Sequence, residues 1–177
     1  MKRDAVAVFG SSQAPPSSPA YSAARELGRE LARLGAEIRC GGYGGVMAGV
    51  AAGGKEGGGR VVGCTIQWFS ASRTPCPDLT EVQEASDLHV RVQCLLQGTR
   101  GAIVLPGGIG TMNELFWVWT LRLHGRKDAP DRLVLLGEVW GELLDLLGSR
   151  FEFGEQARML VRVARTPAEA AEIAWTR

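Results

Sequence analysis

At 177 residues the chain suits a single domain, long enough to bury a core without disulfide or metal staples, and its 45% apolar and 22% charged content is that of an ordinary globular protein. Lys and Arg number 20 against 19 Asp and Glu, a formal net charge of +1, which excludes a global field for nucleic acid or an anionic membrane; any anion site must be local. The 24 glycines exceed what this balance requires and call for a structural reason.

The cysteines Cys40, Cys64, Cys76 and Cys94 form no C-x-x-C pair, and His89 and His124 are the only histidines, so neither a zinc site nor any other metal is expected. Reduced thiols in a cytoplasm are the expectation. The apolar run at residues 5–9 is too short for a signal peptide, and no run is long enough to span a bilayer.

In chain order, residues 5–9 (AVAVF) read as a strand buried on both faces, ended by Gly10-Ser11-Ser12 and the prolines beyond. Apolar residues at helical spacing predict a helix over 20–34, with Gly35 as its stop. A second strand over 38–40 runs into Gly41-Gly42-Tyr43-Gly44-Gly45 and a small-residue helix over 46–52; a third strand spans 60–66. After a proline loop at 74–77, a helix is expected over 87–98, with Leu88, Val92, Leu95 and Leu96 along one side. Strands follow at 102–105, 133–136 and 160–163, with helices over 111–124 and about 140–147 between them. Thr166-Pro167-Ala168-Glu169 is a capping box that opens a last helix to Trp175.

Alternation of strands and helices predicts a single-domain, Rossmann-like doubly wound α/β fold, a mainly parallel sheet with helices on both faces. Ligands of such sheets sit beyond the carboxyl ends of the strands, where all three glycine turns fall.

The turns are not dinucleotide fingerprints, because Met47 and Asn113 stand where the third glycine of G-x-G-x-x-G belongs. Gly49, Gly54 and Lys55 match the glycines and lysine of a P-loop, but Glu56 replaces the Ser or Thr that would hold magnesium; GGKEGGG reads instead as a surface turn. Residues 106–111 (PGGIGT) differ in kind. They follow a buried strand and open a helix, so the backbone N–H groups of Gly107, Gly108, Ile109 and Gly110 converge with the helix dipole on one spot fit for a phosphate, and the Thr111 hydroxyl adds a donor. A tight turn with nothing bound is the bland alternative.

PGGIGTMNE, from Pro106 to Glu114, resembles the PGGxGTxxE signature of the Lonely Guy (LOG) phosphoribohydrolases, often labelled lysine decarboxylase-like. Val8-Phe9-Gly10-Ser11-Ser12 resembles the family's FCGSS start, and residues 41–47 (GGYGGVM) its GGGxxGLM block. The resemblance spans roughly residues 6 to 147. It implies hydrolysis of the N-glycosidic bond of a nucleoside 5'-monophosphate, AMP or an N6-modified AMP, without a cofactor, by a homodimer. It also implies catalytic roles for Arg91 and Glu114 and substrate contacts from Gly10, Ser11, Ser12, Gly42 and Met47. Departures from the family pattern are Val90 and Val92, which replace an acidic or amide residue and a lysine, Asn113 in place of a glutamate, and Cys40 in place of a glycine. A pyridoxal-phosphate lysine decarboxylase is rejected, since none of Lys2, Lys55 and Lys127 falls in a segment that reads as buried beside the cradle.

Breaking an N-glycosidic bond builds positive charge on the ribose, and a carboxylate such as Glu114 stabilises it. Thr111-Met112-Asn113-Glu114 is also a capping box, in which Glu114 would only bond back to its helix start. Arg91, at the edge of its helix's apolar stripe, either snorkels along the core or aims its guanidinium at substrate. The helix after the cradle carries Phe116, Trp117, Val118, Trp119, Leu121 and Leu123 nearly all round, more than one sheet face covers, so it is the expected homodimer face unless the C-terminal helix covers it. The alternative function is a non-catalytic carrier of a nucleotide or of molybdenum cofactor, which also presents a phosphate.

Overall fold

The structure, a computed structural model, describes residues 4–176. Strands β1 (Ala5–Phe9), β2 (Glu37–Cys40), β3 (Val61–Ile66), β4 (Glu81–Ala85), β5 (Thr99–Val104), β6 (Arg132–Leu136) and β7 (Val161–Ala164) form one sheet in the order β4-β3-β2-β1-β5-β6-β7. Every pairing is parallel. The helices are α1 (Pro19–Arg33), α2 (Val46–Glu56), α3 (Gln67–Ser70), α4 (Leu88–Leu96), α5 (Ile109–Leu123), α6 (Val139–Arg150), α7 (Glu155–Met159) and α8 (Pro167–Trp175). The doubly wound α/β expectation holds.

Two cores flank the sheet. Val6, Val8, Ile38 and Ile103 face α1, α2 and α8, while Ala7, Phe9, Ala102 and Val104 face α4, α5 and α6. The continuous apolar strands follow from this, because both faces of each central strand are covered. Part of the glycine excess lies in the first core and not in the turns. A side chain on Gly28 would strike the backbone of Val50 and Gly54, and one on Gly53 would strike the carbonyl of Arg25. Bare backbone there lets α1 and α2 touch.

Several expectations are corrected. The GGKEGGG segment is not simply a surface turn, since α2 continues to Glu56, whose carboxylate accepts from Arg25 and Arg29 on α1. The strand β4, with the sequence EVQEA, carries no apolar run because it is an edge strand, half exposed along its length. Leu88 is half exposed and does not join the buried stripe of Val92, Leu95 and Leu96. Cys64 on β3 and Cys94 on α4 form a disulfide, with Cα atoms 6.1 Å apart, and only Cys40 and Cys76 are free thiols among the described residues. A sequence separation of 30 between the paired cysteines gives no spacing signal; the crossover that stacks α4 on β3 brings them together.

Candidate functional site

The strand order reverses between β1 and β5, and the crossover that makes the reversal, β4-α4-β5, passes beneath β3, β2 and β1. The splayed carboxyl ends at such a point leave a crevice. The turns after β1 and β5 border it directly, and the turn after β2 closes its flank. They are laced together: the N–H of Ser11 donates to the Pro106 carbonyl at 3.2 Å, and the N–H of Val46 donates to the Ser11 carbonyl at 2.8 Å. Gly10, Ser11 and Ser12 thus lie against Gly45, Val46 and Gly107, whereas Gly42 lies against Gly63 and Thr65 of β3 and Met47 is buried beside Gly41.

The helix α5 starts at Ile109 with Gly108 as N-cap and no side chain capping it, so its first N–H groups lack intrahelical acceptors and open on residues 106–110, all exposed. A Cβ on Gly107 would collide with the Thr111 side chain and sit 2.8 Å from the Ser11 nitrogen, whereas a Cβ on Gly108 or Gly110 would meet nothing within 4 Å. Gly107 is therefore needed by the turn itself; Gly108 leaves room in front of it. Thr111 is buried beneath the turn, against Gly107.

This helix start overturns the capping-box reading of Glu114. Thr111 lies inside the first turn and Glu114 in the second, too late to cap. The Glu114 carboxylate instead accepts from Arg91 Nη1 at 3.2 Å, with the two side chains 13% and 11% exposed. Arg91 does not snorkel outward: its Nε donates to the Cys64 carbonyl at 2.8 Å and its Nη2 to the Gly41 carbonyl at 3.4 Å. A side chain at Gly41 would strike both this guanidinium and the Met47 sulfur, so glycine there makes room for the pair. Burial pushes the Glu114 carboxyl up to about 7, against the pull of the Arg91 charge and hydrogen bond. Such a carboxyl, poised near neutrality at a crevice, has the marks of a reacting group.

Beside the first two turns lies a cavity of about 270 Å³, lined by Ser12, Gln13, Tyr43, Gly44, Arg73 and Thr74. The Arg73 guanidinium lies 4.3 Å from the Phe69 ring centroid. Sequence reasoning treats 74–77 as plain surface loop and passes over Arg73 and Thr74, because no periodicity marks them. His89, exposed on α4, packs its ring against Trp117 at 5.3 Å and stands apart from the Arg91–Glu114 pair.

Part of the all-round apolar surface of α5 finds cover within the chain, though not from the C-terminal helix. Trp119 is sealed by Phe153 at 4.8 Å and donates its indole N–H to the Ala157 carbonyl, while α8 packs on the opposite face of the sheet. Phe116 and Leu123 stay more than one-third exposed.

Residues 46–174 match the family described as "Possible lysine decarboxylase". Among curated proteins, the cytokinin riboside 5'-monophosphate phosphoribohydrolase LOG4 of Arabidopsis thaliana is 31% identical over 64% of this chain and 54% of its own. A pyrimidine/purine nucleotide 5'-monophosphate nucleosidase of Escherichia coli is 30% identical over 65% of this chain and 26% of its own. The chain spans about half the length of the plant relatives it matches. Among solved structures, the molybdenum cofactor binding protein of Rippkaea orientalis superimposes with a TM-score of 0.69 at 21% identity, covering 97% of this chain and 95% of the other, a likeness of fold. The decarboxylase chemistry in the family's description does not fit the residues present. That chemistry needs pyridoxal phosphate carried on a lysine amine; Lys55 is exposed and paired with Asp78, Lys127 is exposed, and Lys2 lies outside the described residues. With its glycine-lined crevice, its signature turn and this match over most of its length, the chain belongs to the LOG family, the group described as "Possible lysine decarboxylase".

Proposed function

We propose that the protein hydrolyses the N-glycosidic bond of a nucleoside 5'-monophosphate, AMP or an N6-modified AMP, to free base and ribose 5-phosphate, with no cofactor. The observation that carries this reading is the Arg91–Glu114 pair, buried at the switch point one helical turn beyond the anion cradle. The 5'-phosphate docks on the N–H groups of residues 107–110, with Gly10, Ser11, Ser12, Gly42 and Met47 closing around the ribose. Arg91 orients the carboxylate. In its ionised form Glu114 faces the positive charge that grows on the ribose as the C1'–N bond breaks, and it orients the attacking water. Water oxygen bonds to C1', and its protons are shared between the departing base nitrogen and the new hydroxyl. The names of the plant and bacterial relatives support this reaction class.

A homodimer belongs to the same reading. Between α4 and α5 lies a groove of about 980 Å³ whose wall includes Val90, Leu96, Trp117 and Leu121, next to the exposed Phe116 and Leu123. No helix among the described residues is long and apolar enough to cross a membrane. A cytoplasmic setting is part of the reading too, although the disulfide removes two of the four cysteines from the argument for it.

The deciding experiment incubates the pure protein with AMP, N6-modified AMP, other nucleoside 5'-monophosphates and the matching nucleosides. Expected are free base and ribose 5-phosphate in equal amounts from the monophosphates and none from the nucleosides. Tight binding of monophosphates without turnover of any would replace the enzyme with a carrier.

A further inference from the structure

The far end of α5 borders a cavity lined by a cluster of cations. This helix runs from the cradle at its N-terminus to Leu123, so its two ends lie about 22 Å apart. Where it ends, at the amino-terminal edge of β5 and β6, a cavity of about 740 Å³ is lined by Arg100, Arg122, Arg126, Lys127 and Arg132, with Asp131 as the one carboxylate in its wall. Five cations on a chain of net charge +1 are a local concentration that the overall composition does not produce.

The internal bonds of Arg100 and Arg122 position their charges without neutralising them. Arg100 donates to the Trp175 carbonyl at 2.9 Å, and its guanidinium lies 4.7 Å from the Trp175 ring centroid. Arg122 donates to the Pro130 carbonyl at 2.5 Å, while its buried Nε has no partner among the described residues. Both acceptors are neutral. Arg126 bonds to Asp128 at 3.3 Å, but both side chains are well exposed and such a contact is weak. Burial, and then the nearby charge of Arg132, hold the Arg122 guanidinium below its ordinary value, with Asp131 pulling the other way. Arg122 and Arg132 thus repel each other, and the planar guanidinium forks are suited to bridging phosphate oxygens. The α5 carboxyl end, with its partial negative charge, lets cations gather there without supplying a full counter-charge.

We propose that this cavity binds an oligophosphate, a ligand presenting a di- or triphosphate group, independently of the monophosphate cradle. Several cations converging on one concave site match several adjacent anionic oxygens better than a single phosphate does.

Isothermal titration of the whole chain with inorganic tripolyphosphate tests this, comparing the parent with Arg132→Glu and Gly108→Val. Arg132 is exposed at the start of β6, and a thermal melt checks that its variant folds. Binding to the parent should weaken at least tenfold in Arg132→Glu, stay unchanged in Gly108→Val, and fall as salt rises. A parallel titration with a nucleoside triphosphate separates the sources: equal affinity means that the phosphate chain alone is read, and tighter binding means a nucleotide. No heat at millimolar tripolyphosphate, or binding lost in Gly108→Val and kept in Arg132→Glu, overturns the proposal. Neither result bears on base release from monophosphates, which is measured separately.

Discussion

Glu114 makes the sharpest prediction at the scale of one residue. Its folded value of about 7 lies above the ordinary 4.5, so the ionised form is the one that burial penalises. The penalty is absent below about pH 4.5, grows between the two values, and is complete above about pH 7. Glu114→Gln, neutral throughout, should therefore gain stability relative to the parent across that window, in urea melts compared at about pH 5 and about pH 8. Turnover should move the other way. Parent base release should rise with pH about a midpoint near 7, and the variant should lose on the order of 10²-fold or more at about pH 8 while still binding AMP. Equal turnover would take Glu114 out of the chemistry. The sequence supplies this residue's identity but not its partner, because Thr111-x-x-Glu114 has capping-box spacing and only the start of α5 at Ile109 decides against it.

At the scale of the element, the cradle separates two glycines that read alike in sequence. Gly107→Ala forces a Cβ against Thr111 and Ser11 and should destabilise the fold by about 1–3 kcal/mol, as overpacking does. Gly108→Val extends into space that only a ligand would occupy, so its melting temperature should stay close to the parent's while AMP affinity drops at least tenfold. Unchanged AMP binding by a folded Gly108→Val would misplace the cradle. Most elements are legible because a strand covered on both faces must be apolar and a glycine turn must break it. The strand β4 escapes because an edge strand is free to be polar, and the Cys64–Cys94 disulfide because its partners meet only through a crossover. Likewise α7 and the segment carrying Phe153, which seal Trp119, lack any strong periodicity.

For the whole molecule, the exposed Phe116 and Leu123 and the neighbouring α4–α5 groove lead to an expected dimer. Light scattering at micromolar concentration should give twice the chain mass, and Phe116→Glu should halve it. A monomeric parent would remove the claim. The sequence signals this face only as surplus hydrophobicity on α5, part of which the chain itself consumes.

The placement of β5 beside β1 also governs when the crevice comes into being. Ala5 lies next to Thr99, so the two central strands meet only after a very long loop has closed, while β1, β2 and β3 associate through near neighbours in sequence. A nascent chain could hold a three-stranded half with α1 and α2 in place and still possess no crevice. Its opposite wall arrives only with this far-separated pairing, so recovery of nucleotide binding on refolding should trail the return of helix.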